Sequence, residues 1–593
     1  MDWATVEWGA DGCPRSTRYH DVFHSLHGAA GQWRHVFFHG NDLPRRWQGN
    51  PLFAIGELGF GSGLSFLLTA SQWLTRADRR AGAGPLIYMA IEQHPWPVSD
   101  TRKLIERVVT AEREGKGPED HLSIDAGLME EWLQQVPMLQ PGSNRLHLAN
   151  GQIELLLHIG AIETILPHLH GRVDAWFLDG FNPRHNAAMW DPHLWPDLHR
   201  LSRPGATLAT WCCAGAVRRG LAEAGFTVKR APGFAQKRDM LIGATVGQWH
   251  PRALPVRARV LGAGLAGGWM ARTLAERGVA VDVHDAASGP AHGASGMPML
   301  MIRPYARHRD TPTARFFWLA ATFAVARLQA LDLRSWAPGP VWRSFGTEVP
   351  HWLNPAGWCD GAELCARLLD HPSISVHWKH TIAPDDTHIP VAPTIWCTAT
   401  TSSALLGPAA VLQPIRGQQS FWHGAPAQLQ PYSPRVGDCV AAETAQGVYF
   451  GATYAHGVTD AEIRPAEALQ YGRHLPVTPT ETDLPHMQHW PGVRQQSRDR
   501  LPLCGPAVDV PPRNERMIDA GRACVRDLPQ RPGQWLNLAH GARGATSAPL
   551  CAAQLADQLL DLPESLSTDV SAALDPRRFL LRAWRRGQWS PSN

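Results

Sequence analysis

Two glycine-rich segments of this 593-residue chain have the residue types and spacing for nucleotide chemistry. The first reads Glu57-Leu-Gly59-Phe-Gly61-Ser-Gly63 and follows an apolar run. Glycines at alternate positions let the backbone approach a ligand closely. The acid placed before them could meet the cationic amino-acid end of S-adenosylmethionine. The segment therefore favours S-adenosylmethionine over a dinucleotide.

Two more carboxylates end apolar runs that read as strands, Glu92 after residues 85–91 and Asp179 after residues 173–178. Ligands of open α/β sheets bind beyond the carboxyl ends of the strands. We expect Glu92 to accept both ribose hydroxyls of the cofactor. Asp179 is expected to orient a nucleophilic nitrogen or to receive its proton, although it could instead cap the next helix. Because an aspartate titrates near about 3.9 and an alkylamine near about 10, orientation is favoured unless burial raises the pKa of Asp179.

The second glycine-rich segment, Gly262-Ala-Gly264-Leu-Ala-Gly267, follows a strand pattern and opens a helix pattern. Asp285 ends the next strand pattern, at the distance expected for the acid that holds an adenosine ribose. The pyrophosphate of a dinucleotide would lie at the amino terminus of the helix. This spacing predicts a Rossmann start that binds NAD or FAD.

A small-residue turn at 293–296 and a late segment at 540–549 bear on the choice between these two cofactors. The late segment leads into a helical pattern, and the free amides of that helix could face an anionic acceptor such as a reduced flavin ring. A nicotinamide-binding domain does not need a late segment of the chain that comes back to the cofactor. The alternative is a well-capped terminal helix.

The elements that must position these residues are two α/β domains in tandem. Residues 245–257 contain two prolines and no periodicity, so they read as a linker. We expect one domain at 1–245 and a second at 255–593. The predicted fold class is α/β, with a Rossmann-like first domain and a second Rossmann domain that carries an α+β substrate part.

Composition excludes several classes of protein. Hydrophobic residues make up 44% and charged residues 18%, which is typical of a globular chain, and a formal net charge of +3 excludes a histone-like polycation. Arginine far outnumbers lysine; a guanidinium suits phosphate, but GC-biased codons give the same excess. The ten cysteines form no CxxC pair, so no metal and a reducing compartment are expected. No signal peptide or long apolar run is found, which predicts a cytoplasmic protein without a membrane segment.

The chain resembles the bifunctional tRNA 5-methylaminomethyl-2-thiouridine biosynthesis proteins over nearly its whole length. No single piece is specific, but the combination is. The matching pieces are residues 36–47, 57–63, 175–183, 262–267, 293–296, 416–418, 451–454, 499–506 and 540–549.

The resemblance implies a methyltransferase fused to an FAD-dependent oxidoreductase of the D-amino-acid-oxidase-like class, acting on the wobble uridine of tRNA. The flavin half would remove the carboxymethyl part of a carboxymethylaminomethyl group, and the other half would methylate the resulting amine. Asp179 would be the catalytic residue, and Glu57, Gly59, Gly61, Gly63 and Glu92 would hold S-adenosylmethionine. The residues implied to contact FAD or the substrate carboxylate are Gly262, Gly264, Gly267, Asp285, Ser295, Arg416, Arg543, Gly544 and Thr546.

One departure concerns Ala161, which stands where the family commonly carries an aspartate before the catalytic strand. If that aspartate holds the adenine, the first half binds its cofactor weakly or uses another contact. A rival hypothesis is therefore a small-molecule amine or amino-acid oxidase with a degenerate, tRNA-binding first half. The expected partner is tRNA and the expected state is a monomer. The tRNA phosphates could contact the arginines of the tail at 577–586, although a basic helix end is also common at a carboxyl terminus.

Overall fold

The computed structural model describes all residues except 24–27, 77–83, 116–122, 236, 306–309, 345–349, 384–391, 399–404, 407–409, 411, 426–432, 438, 510–522 and 587–593. Contacts between residues divide the chain into two compact units. The first unit comprises Met1–Leu254 with two short segments, Glu276–Gly278 and Asp557–Thr568. The second comprises Pro255–Ala275, Val279–Ala556 and Asp569–Asn593. Each unit is mixed α/β, which confirms the predicted fold class.

The first unit begins with a small antiparallel sheet and continues into a larger one. Its strands are β1 (Val6–Trp8), β2 (Pro14–Ser16), β3 (Asp21–Val22), β4 (Phe53–Leu58), β5 (Leu86–Glu92), β6 (Gly142–Leu148), β7 (Ile153–Ile159), β8 (Val173–Leu178), β9 (Ser202–Thr210), β10 (Phe226–Pro232) and β11 (Asp239–Thr245). Its helices are α1 (Ala29–Gln32), α2 (Leu43–Arg46), α3 (Leu64–Thr75), α4 (Val98–Gly115), α5 (Ala126–Gln135), α6 (Ile162–Ile165), α7 (Trp195–Arg200) and α8 (Gly215–Glu223). A π-helix spans Trp33–His39.

The large sheet of the first unit has the order β10-β11-β9-β8-β4-β5-β7-β6. Its five central strands, β9 to β7 in this order, run parallel to one another. At the edges, β6 is antiparallel to β7, β11 is antiparallel to β9, and β10 is antiparallel to β11. All six residues of β4 are buried, as continuous apolar runs in parallel strands predict. Because the chain leaves β4 first towards β5 and later returns on its other side as β8, the order reverses between β4 and β8. That reversal is where open α/β sheets bind ligands.

The second unit contains a mostly parallel sheet, a mostly antiparallel one and a small three-stranded antiparallel sheet. Its strands are β12 (Arg257–Leu261), β13 (Ala280–Asp285), β14 (Leu300–Ile302), β15 (Ala337–Pro338), β16 (Val341–Arg343), β17 (His351–Leu353), β18 (Gly357–Cys359), β19 (Ile374–Trp378), β20 (Thr394–Trp396), β21 (Leu412–His423), β22 (Arg435–Val436), β23 (Val440–Thr444), β24 (Gly447–Gly451), β25 (Ala455–His456), β26 (Met487–Ser497), β27 (Leu503–Val508) and β28 (Gln530–Leu538). The helices that lie wholly or mainly in it are α9 (Leu265–Glu276), α10 (Pro312–Ala330), α11 (Gly361–Leu369), α12 (Pro465–Gly472), α13 (Gly544–Leu559), α14 (Thr568–Leu574) and α15 (Arg578–Arg585).

The first sheet of this unit has the order β19-β13-β12-β20-β28-β27, and its strands are parallel except at β27. Its chain order reverses between β12 and β20, beside the turn that enters α9. The second sheet, β17-β16-β22-β23-β24-β21-β25 with β26 paired to β21, is largely antiparallel. The unit thus has a Rossmann-like sheet and a separate α+β part, as the sequence predicts. Within the described residues, no helix combines the length and apolar character needed to cross a membrane.

Candidate functional site

The turn between β4 and α3 brings the first glycine-rich segment against Asp179. Gly59 has a φ of +85°, and a Cβ on it would lie 2.3 Å from the carbonyl oxygen of Asp179. No other residue fits this position. Gly61 donates its backbone N–H to Oε2 of Glu92 over 2.6 Å, and Gly63, with a φ of +78°, precedes the first turn of α3. The backbone of β4, β5 and β8 therefore meets at one edge of the sheet.

The three predicted carboxylates of this edge have different environments. Glu92 lines the cavity there, and its Oε1 accepts the backbone N–H of His94 over 2.8 Å. Glu57 is buried behind the cavity wall and accepts the hydroxyl of Tyr88 over 2.9 Å. Burial, and then the charge of Asp179, raise the pKa of Glu57 well above its usual range. Glu57 therefore lies behind the turn and does not line the cavity, whereas Glu92 and Asp179 do.

Asp179 lies just beyond the end of β8 and points into the cavity. Its Oδ1 accepts the backbone N–H of Gly180 over 2.9 Å and the indole N–H of Trp211 over 3.0 Å. Burial raises the pKa of Asp179 to about 6, while Trp211, Gly180 and Lys237 each act to lower it. It does not cap the following α-helix, which begins at Trp195. Among the described residues nothing donates to Oδ2, so this oxygen can accept a hydrogen bond from a ligand.

A cavity of about 470 Å³ lies at this edge and is lined by the predicted residues Gly59, Gly61, Glu92 and Asp179. Side chains that the sequence did not predict complete it. Tyr19, from the loop between β2 and β3, stacks on Phe181 with ring centroids 4.8 Å apart. Lys237 holds its ammonium 3.4 Å from the ring centroid of Trp211. A sequence signal for Tyr19 or Lys237 is lacking because both reach the cavity from segments distant along the chain.

The region around Ala161 has a carboxylate close to the position where the family carries its aspartate. Ala161 is the N-cap residue of α6 and offers no side-chain cap. Glu163, in the first turn of that helix, is exposed and lines the cavity with Gly160. A carboxylate is therefore present two residues beyond the position where the family carries one.

The second glycine-rich turn connects β12 to α9 with close backbone packing. Gly262 has a φ of +107°, and a Cβ on Gly267 would lie 1.7 Å from the carbonyl oxygen of Gly262. The first amide of the helix, that of Leu265, donates to Oγ of Ser295 over 3.1 Å. This is the arrangement in which a dinucleotide pyrophosphate meets a helix amino terminus, with Gly267 allowing the helix to pack on the strand.

Asp285 follows at the end of β13, and its two oxygens accept the backbone N–H groups of Ala263 (2.6 Å) and Ala287 (2.8 Å). A carboxylate has about four acceptor positions, so both oxygens can still accept ribose hydroxyls. The glycine cradle and this acid together fit the adenosine and pyrophosphate parts of a dinucleotide such as FAD.

A second cavity, of about 610 Å³, gathers most of the predicted residues of this unit. Gly262, Gly264, Asp285, Ser295, Arg543, Gly544 and Thr546 all line it, whereas Gly267 packs beneath it. Helix α13 begins at Gly544, so its amino terminus faces the cavity as predicted. The guanidinium of Arg543 lies 4.4 Å from the ring centroid of Tyr305.

Arg416 does not belong to this group. It is fully buried in β21, and its Nη1 donates to both carboxylate oxygens of Glu467 over 2.7 Å. It also donates to the backbone carbonyl of Glu462 and does not line the cavity. The structure therefore places Arg416 in an internal ion pair, away from the predicted flavin or carboxylate contact. Arg303 and Arg494, which the sequence did not predict, line the cavity instead.

The arginines of the carboxyl-terminal tail are largely committed to ion pairs inside the second unit. Arg577 is buried against Asp575 at 2.8 Å, and Arg578 is buried against Asp499 at 2.9 Å. Arg582 donates to the same Asp499. Arg577 and Arg578 are therefore buried, whereas Arg582, Arg585 and Arg586 remain exposed at the surface. The structure contains no group of three or more His, Cys, Asp or Glu side chains, within its described residues, that could hold a metal ion.

Comparisons with known proteins agree with this geometry. A family model described as S-adenosyl-L-methionine-dependent methyltransferase matches residues 125–246. The tRNA 5-methylaminomethyl-2-thiouridine biosynthesis bifunctional protein MnmC of Ralstonia nicotianae is 33% identical over 99% of this chain and 98% of its own length. The protein of the same name from Azoarcus sp. is 35% identical over 98% of both chains. Among solved structures, glycine oxidase from Geobacillus kaustophilus is 15% identical and covers 51% of this chain and 94% of its own, but a TM-score of 0.40 decides nothing about the fold.

Proposed function

The chain belongs to the family of bifunctional tRNA 5-methylaminomethyl-2-thiouridine biosynthesis proteins, and we propose that its two units carry out successive steps on the wobble uridine of tRNA. The second unit, with FAD, converts 5-carboxymethylaminomethyl-(2-thio)uridine into 5-aminomethyl-(2-thio)uridine. The first unit, with S-adenosylmethionine, methylates that amine to give 5-methylaminomethyl-(2-thio)uridine. The observation that carries this proposal is the similarity to such proteins across 99% of the chain, with a separate cavity in each unit.

In the first unit, Asp179 is the proposed catalytic residue. S-adenosylmethionine supplies an electrophilic methyl group when bound. The free Oδ2 of Asp179 accepts an N–H of the primary amine and so aligns the nitrogen lone pair, while Trp211 and Gly180 fix the carboxylate through Oδ1. A carboxylate with a pKa of about 6 is a weak base towards an ammonium near about 10. Orientation and electrostatic stabilisation of the ammonium product are therefore its main contribution.

The proposed binding set of the first unit is Gly59, Gly61, Gly63 and Glu92, with Glu57 supporting the turn from behind. Gly59 and Gly61 let the cofactor lie on the backbone of the turn, and Glu92 is in position to accept ribose hydroxyls. The acidic residues of the cavity suit the positive sulfonium and amino groups of S-adenosylmethionine.

In the second unit, FAD supplies a hydride acceptor for the carbon–nitrogen bond when bound. Gly262, Gly264 and Ser295 are proposed to hold its pyrophosphate at the start of α9, and Asp285 its ribose. Arg543, Gly544 and Thr546 lie at the start of α13, where the helix dipole favours negative charge. Loss of a hydride from the carboxymethyl carbon to the flavin and of the N–H proton to solvent would give an imine, and water would hydrolyse this imine to the free amine and glyoxylate.

We place the tRNA contacts on the first unit, which presents exposed cations on α8 and β10. Arg218 and Arg219 on α8 and Lys229 on β10 are exposed and form no ion pair with any described residue. Such free cations suit a phosphate backbone. A tRNA substrate also implies a cytoplasmic enzyme, and we propose that it acts as a monomer.

The test uses the purified full chain and a tRNA that carries the carboxymethylaminomethyl group. Mass spectrometry of the wobble nucleoside should show the aminomethyl form without S-adenosylmethionine and the methylaminomethyl form with it. An unchanged nucleoside, together with flavin turnover on free amines or amino acids, would support the small-molecule oxidase instead.

A further inference from the structure

The ring of Tyr454 is exposed where the second cavity opens to solvent. Tyr454 lies in the loop between β24 and β25 and lines this cavity, yet its side chain is 40% exposed. Within the described ranges, Tyr454 and Trp352 are the exposed residues with large aromatic rings, and of these only Tyr454 lines either cavity. An aromatic ring at the mouth of a ligand cavity is a candidate contact for the ligand.

A hydrogen bond and two ring contacts hold Tyr454 in place. Its hydroxyl donates to Oε1 of Gln496 over 2.6 Å, and Gln496 is buried in β26. The ring of His456 meets that of Tyr454 at an angle of 71°, with centroids 5.1 Å apart. The guanidinium of Arg494 lies 5.2 Å from the ring centroid and donates to the carbonyl of Thr453 over 3.0 Å. A ring fixed in this way loses little conformational entropy when a planar ligand stacks on it.

The chemistry of the proposed substrate places a planar group at this mouth. A tyrosine hydroxyl has one proton to donate, and Gln496 accepts that of Tyr454, so the exposed side chain offers its ring to a ligand. In the substrate, the carboxymethylamino group is joined to C5 of uracil through a single methylene. Because this link is short, the reacting carbon–nitrogen bond can enter the cavity only when the uracil lies at its mouth. Bases of single-stranded RNA are commonly bound by stacking on aromatic side chains.

We propose that Tyr454 stacks on the uracil of the wobble nucleotide and thereby holds its C5 substituent in the second cavity. This inference rests on the proposed function, and it adds a base contact of the second unit to the phosphate contacts placed on α8 and β10. Stacking requires a planar base, so it favours a nucleotide over a free amino acid that carries the same amine. Tyr454 therefore gives the oxidoreductase unit a preference for tRNA that its cofactor-binding residues do not supply.

The first experiment uses the flavin-loaded full chain with Tyr454→Leu, which removes the ring, and Tyr454→Phe, which keeps it. The kcat and KM for removal of the carboxymethyl group are measured on carboxymethylaminomethyl-tRNA. For Tyr454→Leu we expect KM to rise about 10-fold or more and kcat to change less than about twofold, because a base stack is lost. Tyr454→Phe should bind the tRNA almost as well as the unchanged protein. The control Trp352→Leu removes an exposed ring that lines neither cavity and should leave both constants unchanged.

A second experiment isolates the base from the rest of the tRNA. Two unmodified anticodon stem-loops, one with uridine and one with an abasic nucleotide at the wobble position, are compared as competitive inhibitors of the oxidation. The inhibition constant of the uridine form should be about 10-fold lower in the unchanged protein, and the two constants should be equal in Tyr454→Leu. Both stem-loops carry the same phosphates, so the difference reports the base alone.

Equal inhibition by the two stem-loops in the unchanged protein would contradict the inference without the need for a variant. An unchanged KM in Tyr454→Leu would also overturn it, and an equal loss in Tyr454→Phe would assign the effect to the hydroxyl instead of the ring. Failure of the unchanged protein to remove the carboxymethyl group from tRNA would overturn the proposed function itself, so the two failures are distinguishable. Flavin absorbance and methylation of aminomethyl-tRNA report that each variant is folded.

Discussion

The two cavities begin with the same local structure and end with opposite charge. Each cavity lies where a buried parallel strand leads through a glycine turn into a helix, and an acid stands at the end of a neighbouring strand. The acids that line the first cavity are Asp11, Asp21, Glu92, Glu163 and Asp179, and they outnumber its cations, Arg15, Arg18 and Lys237. The second is lined by the arginines Arg303, Arg494 and Arg543, and there burial lowers the pKa of Arg303, whereas in the first it raises that of Asp179.

The difference indicates that the strand, turn and helix supply only a place for a nucleotide, and that surrounding side chains decide its chemistry. A sulfonium and an amine call for negative charge, whereas a pyrophosphate and a carboxylate call for positive charge. In both cavities the decisive charged groups are partly desolvated, which strengthens their interaction with a ligand. A substitution that removes charge from one cavity should therefore leave the chemistry of the other cavity unchanged.

The largest effect is expected from Asp179→Asn in the first cavity. The amide keeps the shape but loses the charge that stabilises the ammonium, so the methylation rate should fall about 100-fold or more. Removal of the carboxymethyl group should continue, and mass spectrometry should find the aminomethyl nucleoside accumulating. Normal methylation in this variant would show that Asp179 has no catalytic role.

Gly267→Ala tests the second turn in the same way. Its Cβ would lie 1.7 Å from the carbonyl oxygen of Gly262, so α9 must move away from β12. We expect about 1–3 kcal/mol of destabilisation and loss of bound FAD, with methylation kept. The control is Gly289→Ala, because Gly289 does not line the second cavity and a Cβ there would meet only His292, at 3.7 Å. Absorbance of the flavin and thermal unfolding measure both variants; equal flavin content would contradict the assignment of this turn.

The sequence could place residues where the signal is local. The glycine turns, Glu92, Asp179 and Asp285 lie beside strand ends, and a strand end can be predicted from neighbouring residues, whereas the roles of these residues stay predictions. It failed at Arg416, whose side chain pairs with Glu467 on a helix about fifty positions later. It could not find Arg303 or Lys237, because only the tertiary fold brings them to the cavities. The sequence alone thus does not distinguish an arginine in an internal ion pair from one that lines a cavity, because the partners that decide this lie far along the chain.

The pH dependence of methylation provides a smaller but direct measure of the first cavity. With a pKa of about 6 for Asp179, the active carboxylate is present above pH 6 and is lost as pH falls. This loss alone should lower the rate about tenfold from pH 7 to pH 5, in addition to the fall caused by protonation of the substrate amine. Trp211→Phe removes the N–H donor that lowers this pKa. The acid limb should then move to higher pH, and Lys237→Met should move it in the same direction. An unmoved limb in both variants would mean that another group titrates.

The smallest expected effect concerns Glu163 and the missing aspartate. Glu163 lies on the exposed side of the cavity, where a single charge is worth about 0.2–1 kcal/mol. Glu163→Gln should weaken S-adenosylmethionine binding about two- to fivefold in calorimetric titration, and Glu223→Gln, on the exposed face of α8, should not. Ala161→Asp restores an acid at a position whose extended backbone accepts an N-cap side chain, and it should tighten binding. If neither change at α6 alters the affinity, negative charge at this edge does not contribute to cofactor binding, and the contrast between the cavities is confined to Glu92 and Asp179.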